Sequence, residues 1–205
     1  MQSPSTDAIR SALRQIDSTE DLVEKALLLA ALVSRLFEAA GWPLIVVGGS
    51  AVEFYSEGAY MSGDIDLCRE VLAPVPLRKA QELMATLNAK GGPRSWEVAG
   101  LFIDLLGLVE NEARTPCRTV ETPCGNVRII PPELVIVERS LLAFYPRQDL
   151  EARNVARKLI AVCISGRTPV NWTEVERLAK LPAFNIADEL QGLRKEVERE
   201  LENDT

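Results

Sequence analysis

Apolar residues return every three or four positions between residues 20 and 40. Leu22, Ala26, Leu29, Val33, Leu36 and Ala40 form one stripe, which predicts a helix with a single buried face. Ser18 is a suitable cap for it, Asp21 falls at its third position, and Gly41 is a natural stop. A shorter helix is expected over residues 4–17. Past Gly41 the period changes. Leu44-Ile45-Val46-Val47 is a short β-branched run ending in Gly48-Gly49, the pattern of a buried strand. Ser50-Ala51-Val52-Glu53 has the Ser-x-x-Glu form of a capping box, so a helix is predicted to start at Ser50.

Residues 58–63 read as a loop into a second strand over 64–68, followed by a helix over 76–90 that Gly91-Gly92-Pro93 closes. Trp96-Glu97-Val98 and residues 101–108 are expected strands. Residues 118–120 and 127–130 are expected to pair as a hairpin turning at Pro123-Cys124-Gly125-Asn126. From Pro131-Pro132 onward only helical patterns remain, the first opening on proline and the others covering about 149–165, 171–181 and 185–203. The expected architecture is α+β: a mixed β-sheet flanked by helices over residues 1–130, then a C-terminal helical region over 131–205.

Composition narrows the chemistry. An apolar fraction of 47% and a charged fraction of 26% in 205 residues describe an ordinary globular chain. The longest apolar run, residues 26–33, is too short to span a bilayer, and no signal peptide is evident, so a cytoplasmic protein is expected. Cys68, Cys117, Cys124 and Cys163 have no C-x-x-C spacing and are read as reduced thiols. The net charge of -7 argues against bulk non-specific binding to DNA. The sequence contains no histidine. Ser-His-Asp and Cys-His catalysis and His-ligated zinc are therefore excluded. Catalysis based on carboxylates and an oxygen-bound cation becomes the leading option.

Asp64-Ile65-Asp66-Leu67 supplies the carboxylates. On a strand the period of two turns both acids to one face, with Cα atoms about 6.5–7 Å apart. Two such acids repel unless a cation intervenes, and Mg²⁺, which takes one or two carboxylates and completes its shell with phosphate oxygens and water, suits the pair. Phe102-Ile103-Asp104-Leu105-Leu106 sets a third acid in an apolar strand, where burial without a partner is costly. If that strand lies beside the first, Asp64, Asp66 and Asp104 can hold two metal ions, the arrangement that clamps attacking and leaving oxygens in phosphoryl displacement. Alternatively Asp104 faces water from an edge strand. Gly48-Gly49-Ser50 is the complement: glycines let a phosphate approach the backbone, and a helix N-terminus favours its charge.

In this order the elements Val47-Gly48-Gly49-Ser50, Asp64-Ile65-Asp66 and Asp104 resemble the DNA polymerase β-like nucleotidyltransferase superfamily. The stretch over residues 46–55 and 62–67 looks like a compact prokaryotic subgroup similar to the nucleotidyltransferases of abortive-infection and toxin–antitoxin systems. The resemblance covers roughly residues 44–130. It implies a nucleotidyltransferase fold, two Mg²⁺ ions and a nucleoside triphosphate donor, with Asp64, Asp66 and Asp104 as catalytic and metal-binding residues and Gly48, Gly49 and Ser50 at the nucleotide. Helical tails in such proteins often bring a basic residue to the triphosphate, and Arg153, Arg157 and Lys158 are candidates that no motif separates. The acceptor hydroxyl, on a protein, a tRNA or a small molecule, is left open. A non-catalytic toxin–antitoxin or regulatory binding module is the alternative. A phosphohydrolase or nuclease using the same acids is a third reading.

Overall fold

The computed structural model describes residues 3–203. They fall into two compact units. The first comprises residues 3–51, Met61–Glu110 and Cys117–Ile129, and the second Val52–Tyr60, Asn111–Pro116 and residues 130–203.

In the first unit, α1 (Thr6–Ser18) and α2 (Leu22–Ala39) precede β1 (Leu44–Val46). The expected cap at Ser18 is not found. Ser18 ends α1, and its hydroxyl and that of Thr19 both donate to the Gln15 carbonyl, which closes the first helix. The cap of α2 is Asp21, whose carboxylate accepts the Glu24 N–H at 2.8 Å. Ten residues of α2 are buried, as expected of a helix apolar on most of its circumference. It lies against β1, β6 and β7 (Arg118–Thr122 and Gly125–Ile129 for the last two) and against α1 and α4 (Leu77–Ala85). Leu29, Leu32, Val33 and Phe37 are almost fully buried, as are Ile45, Leu67, Ile103 and Val127 of the sheet. Each such side chain contributes about 1.5–3 kcal/mol by leaving water.

Among the described residues seven strands form one mixed sheet, in the order β3-β4-β5-β2-β1-β7-β6. Besides those named, these are β2 (Asp64–Arg69), β3 (Lys90–Gly91), β4 (Ser95–Val98) and β5 (Leu101–Leu108). β2 runs antiparallel to β1 and parallel to β5, while β4 and β5 are antiparallel. α4 ends at Ala85 rather than near residue 90 because the chain enters β3 at Lys90 and pairs with β4. α3 (Gly48–Tyr55) starts two residues before the expected Ser50, directly after the buried β1.

The second unit is built on α5 (Pro132–Phe144), which contacts α6 (Leu150–Ile164), α7 (Trp172–Ala179) and α8 (Ala187–Asn203). Its run Leu134-Val135-Ile136-Val137 is buried throughout. Buried polar groups fasten the irregular segments. Tyr55 donates its hydroxyl to the Ile130 carbonyl at 2.7 Å, and Thr168 donates to the Tyr55 carbonyl at 2.7 Å. Glu133 accepts from the Thr115 hydroxyl and the Asn171 N–H. Glu174 accepts the Arg114 N–H at 2.6 Å and two bonds from Arg177. This array of donors, the Arg177 guanidinium first, holds the Glu174 carboxyl down to a pKa of about 2 from an ordinary 4.5. No described helix is long and apolar enough to cross a membrane. None of the four cysteines is joined in a disulfide, and three of them are buried.

Candidate active site

Strand pairing brings the three aspartates together. In the parallel register of β2 and β5, Asp66 stands opposite Asp104 and Asp64 opposite Phe102. β5 is hydrogen-bonded to β4 on its other side, so Asp104 lies on an interior strand and the edge-strand alternative falls. Carboxylate oxygens of Asp64, Asp66 and Asp104 all lie within 4.8 Å of one another, and each residue is half-buried.

The Gly-Gly-Ser turn is fastened to the same strand. Gly48 takes a φ of +63°, a conformation that an L side chain rarely adopts. It turns the chain from β1 into α3 and sets the first helical N–H groups beside β2. The Gly49 N–H donates to Asp66 Oδ2 at 3.2 Å, and a carboxylate is favoured at the positive end of a helix. Ser50, 1% exposed, accepts the Asp66 N–H at 2.9 Å and donates to the Val47 carbonyl at 3.0 Å. Val47 N–H in turn donates to the Asp66 carbonyl at 3.1 Å.

The capping box read from Ser50 and Glu53 is therefore not formed. Ser50 sits third in the helix, and its hydroxyl joins α3 to β2 instead of capping the Glu53 N–H. Asp66 is held at its N–H by the Ser50 hydroxyl and at its carbonyl and carboxylate by the Val47 and Gly49 N–H groups, a rigid setting that suits a ligand-binding carboxylate.

Two residues of this neighbourhood were given no role from the sequence. Ser62 donates its hydroxyl to Asp64 Oδ1 at 3.3 Å, an orienting contact across two residues. Phe102 shares the strand face of Asp104 and is 51% exposed. The alternation of β5 already contained that signal, since Phe102 and Asp104 are two apart.

The basic candidates of the tail are engaged within the second unit. Arg153 pairs with Glu196 and lies 5.5 Å from the centroid of the Phe144 ring. Arg157 donates to Glu200 at 2.6 Å, and Lys158 to the Ala59 carbonyl at 2.9 Å.

An oxygen-only set of three acids, one of them oriented by a helix N-terminus, fits a hard divalent cation such as Mg²⁺ better than a soft metal. The Ser62 hydroxyl donates to Asp64 and the Gly49 N–H to Asp66, and neither sulfur nor imidazole enters the set of three.

The mixed sheet with its helices defines the class: a nucleotidyltransferase-like fold. The structure superposes on an antigenic nucleotidyltransferase-like protein from Paracoccidioides brasiliensis with a TM-score of 0.53 and 12% identity, covering 82% of this chain and 93% of that one. It also matches the solution structure of the antibiotic-resistance factor ANT(2'')-Ia, with a TM-score of 0.43 and 17% identity, over 93% of this chain and 98% of that one. No family model and no curated protein matches the sequence.

Proposed function

We propose that this protein transfers a nucleoside monophosphate from a nucleoside triphosphate to a hydroxyl acceptor, releasing pyrophosphate. The observation that carries the reading is the convergence of Asp64, Asp66 and Asp104 within 4.8 Å, beside the start of α3. Carboxylates gathered this closely on paired strands favour a cation as their common partner. Asp64, Asp66 and Asp104 would hold two Mg²⁺ ions. When bound, these supply charge neutralisation at the triphosphate and acidify the acceptor hydroxyl.

The chain's own residues do the rest. The acceptor oxygen forms a bond to the α-phosphorus as the α–β bridging P–O bond breaks, and the electron pair leaves with pyrophosphate. Asp104 takes the hydroxyl proton. With no histidine in the chain, a carboxylate is the base at hand. Gly48 and Gly49 keep side chains out of the way where the triphosphate approaches the helix terminus. Ser50 contributes by position, because its hydroxyl is committed to Val47 and Asp66. Ser62 orients Asp64. The motif stretch over residues 46–67 supports the finer assignment to the compact prokaryotic subgroup, with a tRNA or a partner protein among the acceptors.

The test is incubation of the purified chain with each α-labelled nucleoside triphosphate, Mg²⁺ and cell extract. The expected result is Mg²⁺-dependent labelling of one acceptor with pyrophosphate release, lost in Asp64→Asn and Asp66→Asn. Release of inorganic phosphate without labelling would overturn the proposal in favour of hydrolysis. Full labelling by Asp104→Asn would remove Asp104 from the base role.

A further inference from the structure

The far end of β2 carries a second arrangement of charge. Arg69 lies three residues beyond Asp66, about 10 Å along the strand, and the alternation of the strand turns it to the opposite face. There it lines a cavity of about 350 Å³ with Arg94 and with Leu67, Val75, Leu77 and Leu105. A register shift opens the sheet at this point. Leu67 pairs with Leu105 but Arg69 pairs with Leu108, so β5 sets three residues against two, and the extra length at Leu106–Gly107 lies in the cavity wall. Bulges of this kind re-aim side chains and are often found beside binding sites.

The charges of the cavity are unbalanced. Its lining contains two arginines and no acid. Arg69 Nε is buried and has no hydrogen-bond partner among the described residues. An unsatisfied buried donor costs about 1–3 kcal/mol, and more when the group is charged. In a chain with 30 acidic against 23 basic residues, an arginine at the surface has carboxylates to choose from, so two gathered without one are set for an external anion. The remaining wall is apolar, and Leu77 is 52% exposed at its rim.

We propose that this cavity binds a small amphipathic anion, with a carboxylate or phosphate head against Arg69 and Arg94 and an aliphatic body against Leu67, Leu77 and Leu105. The guanidinium fork recognises both heads in the same bidentate manner. The volume is at the small end of ligand sites, which suits a chain of about eight carbons. The site is separate from the acids and does not depend on the reaction proposed for them.

Calorimetric titration of the full chain with octanoate, octyl phosphate, octanol and inorganic phosphate tests this. The expected result is saturable binding of octanoate, octyl phosphate or both, with octanol and inorganic phosphate at least about ten-fold weaker. Which of the two heads binds tighter separates a carboxylate from a phosphate ligand. Arg69→Gln and Arg94→Gln should each weaken the anion about ten-fold, the loss of one charge-assisted bond. Arg94 is exposed, so Arg94→Gln keeps the fold and decides the matter if Arg69→Gln does not fold. No binding of either anion at millimolar concentration, octanol binding as tightly as octanoate, or an affinity unchanged in Arg94→Gln would each overturn the proposal.

Discussion

Replacing Asp104 by Asn should make the metal-free protein more stable while removing its response to Mg²⁺. Asp104 faces two other carboxylates at no more than 4.8 Å, and its own carboxylate accepts no hydrogen bond among the described residues, so Asn forfeits none. Two unit charges at that separation repel by about 0.9 kcal/mol in water and about 3.5 kcal/mol at an effective dielectric constant near 20. The residues are half-buried, so solvent screening holds the value toward the lower figure. Two pairs relieved then give a gain of about 2 kcal/mol. In a chain of this length that raises Tm by about 4–8 °C. Thermal melts in excess chelator should show the variant above wild type. With millimolar Mg²⁺ the order should narrow or invert, because ligand binding raises the wild-type Tm by mass action and Asp104→Asn would lack one of the three proposed ligands. A variant that melts at or below wild type in chelator, or that gains as much from Mg²⁺ as wild type does, would refute the idea that the three acids are held together against their own repulsion.

Other outcomes follow from the same contacts. Ser50→Ala should leave the half-buried Asp66 N–H without its acceptor and lower stability by about 1–3 kcal/mol in urea denaturation, while Ser50→Cys, a weaker acceptor, should fall between. Glu174→Gln should destabilise the protein near neutral pH by about 1.5–3 kcal/mol through its bonds to Arg177 and Arg114. The folded carboxyl titrates near 2, below its ordinary 4.5, so its contribution is complete above about pH 4.5 and is lost as pH falls through about 2. The gap between wild type and variant should close over that interval, and a constant gap would show that charge is not the cause. Leu29→Ala, at a site with no solvent exposure, should cost about 2–5 kcal/mol, read from the shift of the denaturation midpoint at unchanged slope.

Much of the element order was legible because hydrophobic period is a local property. The stripe from Leu22 to Leu36, the β-branched run at Leu44-Ile45-Val46, the whole of β5 and the four C-terminal helices follow from spacing and from Gly and Pro punctuation. Boundaries were less legible where two signals competed. Ser18 was a plausible cap by residue type, but the apolar residues of α1, Ile9 and Ile16 among them, carry that helix through Ser18 and leave Asp21 to cap α2. Ser50 and Glu53 fit a capping box, yet Ser50 found a partner sixteen residues away, and a local motif cannot register a contact on another strand.

The candidate site divides in the same way. By itself the sequence determined that Asp64 and Asp66 share a face, because alternation along a strand is fixed by backbone geometry. It also excluded imidazole chemistry by the absence of histidine. It could not determine that β5 lies beside β2, nor that Asp104 falls level with Asp66 rather than one residue off, which would have turned it to the other face. Pairing and register are decided by which apolar faces bury together, here those of Ile65, Leu67 and Ile103. Only tertiary structure, by burying those faces, set the third acid beside the other two.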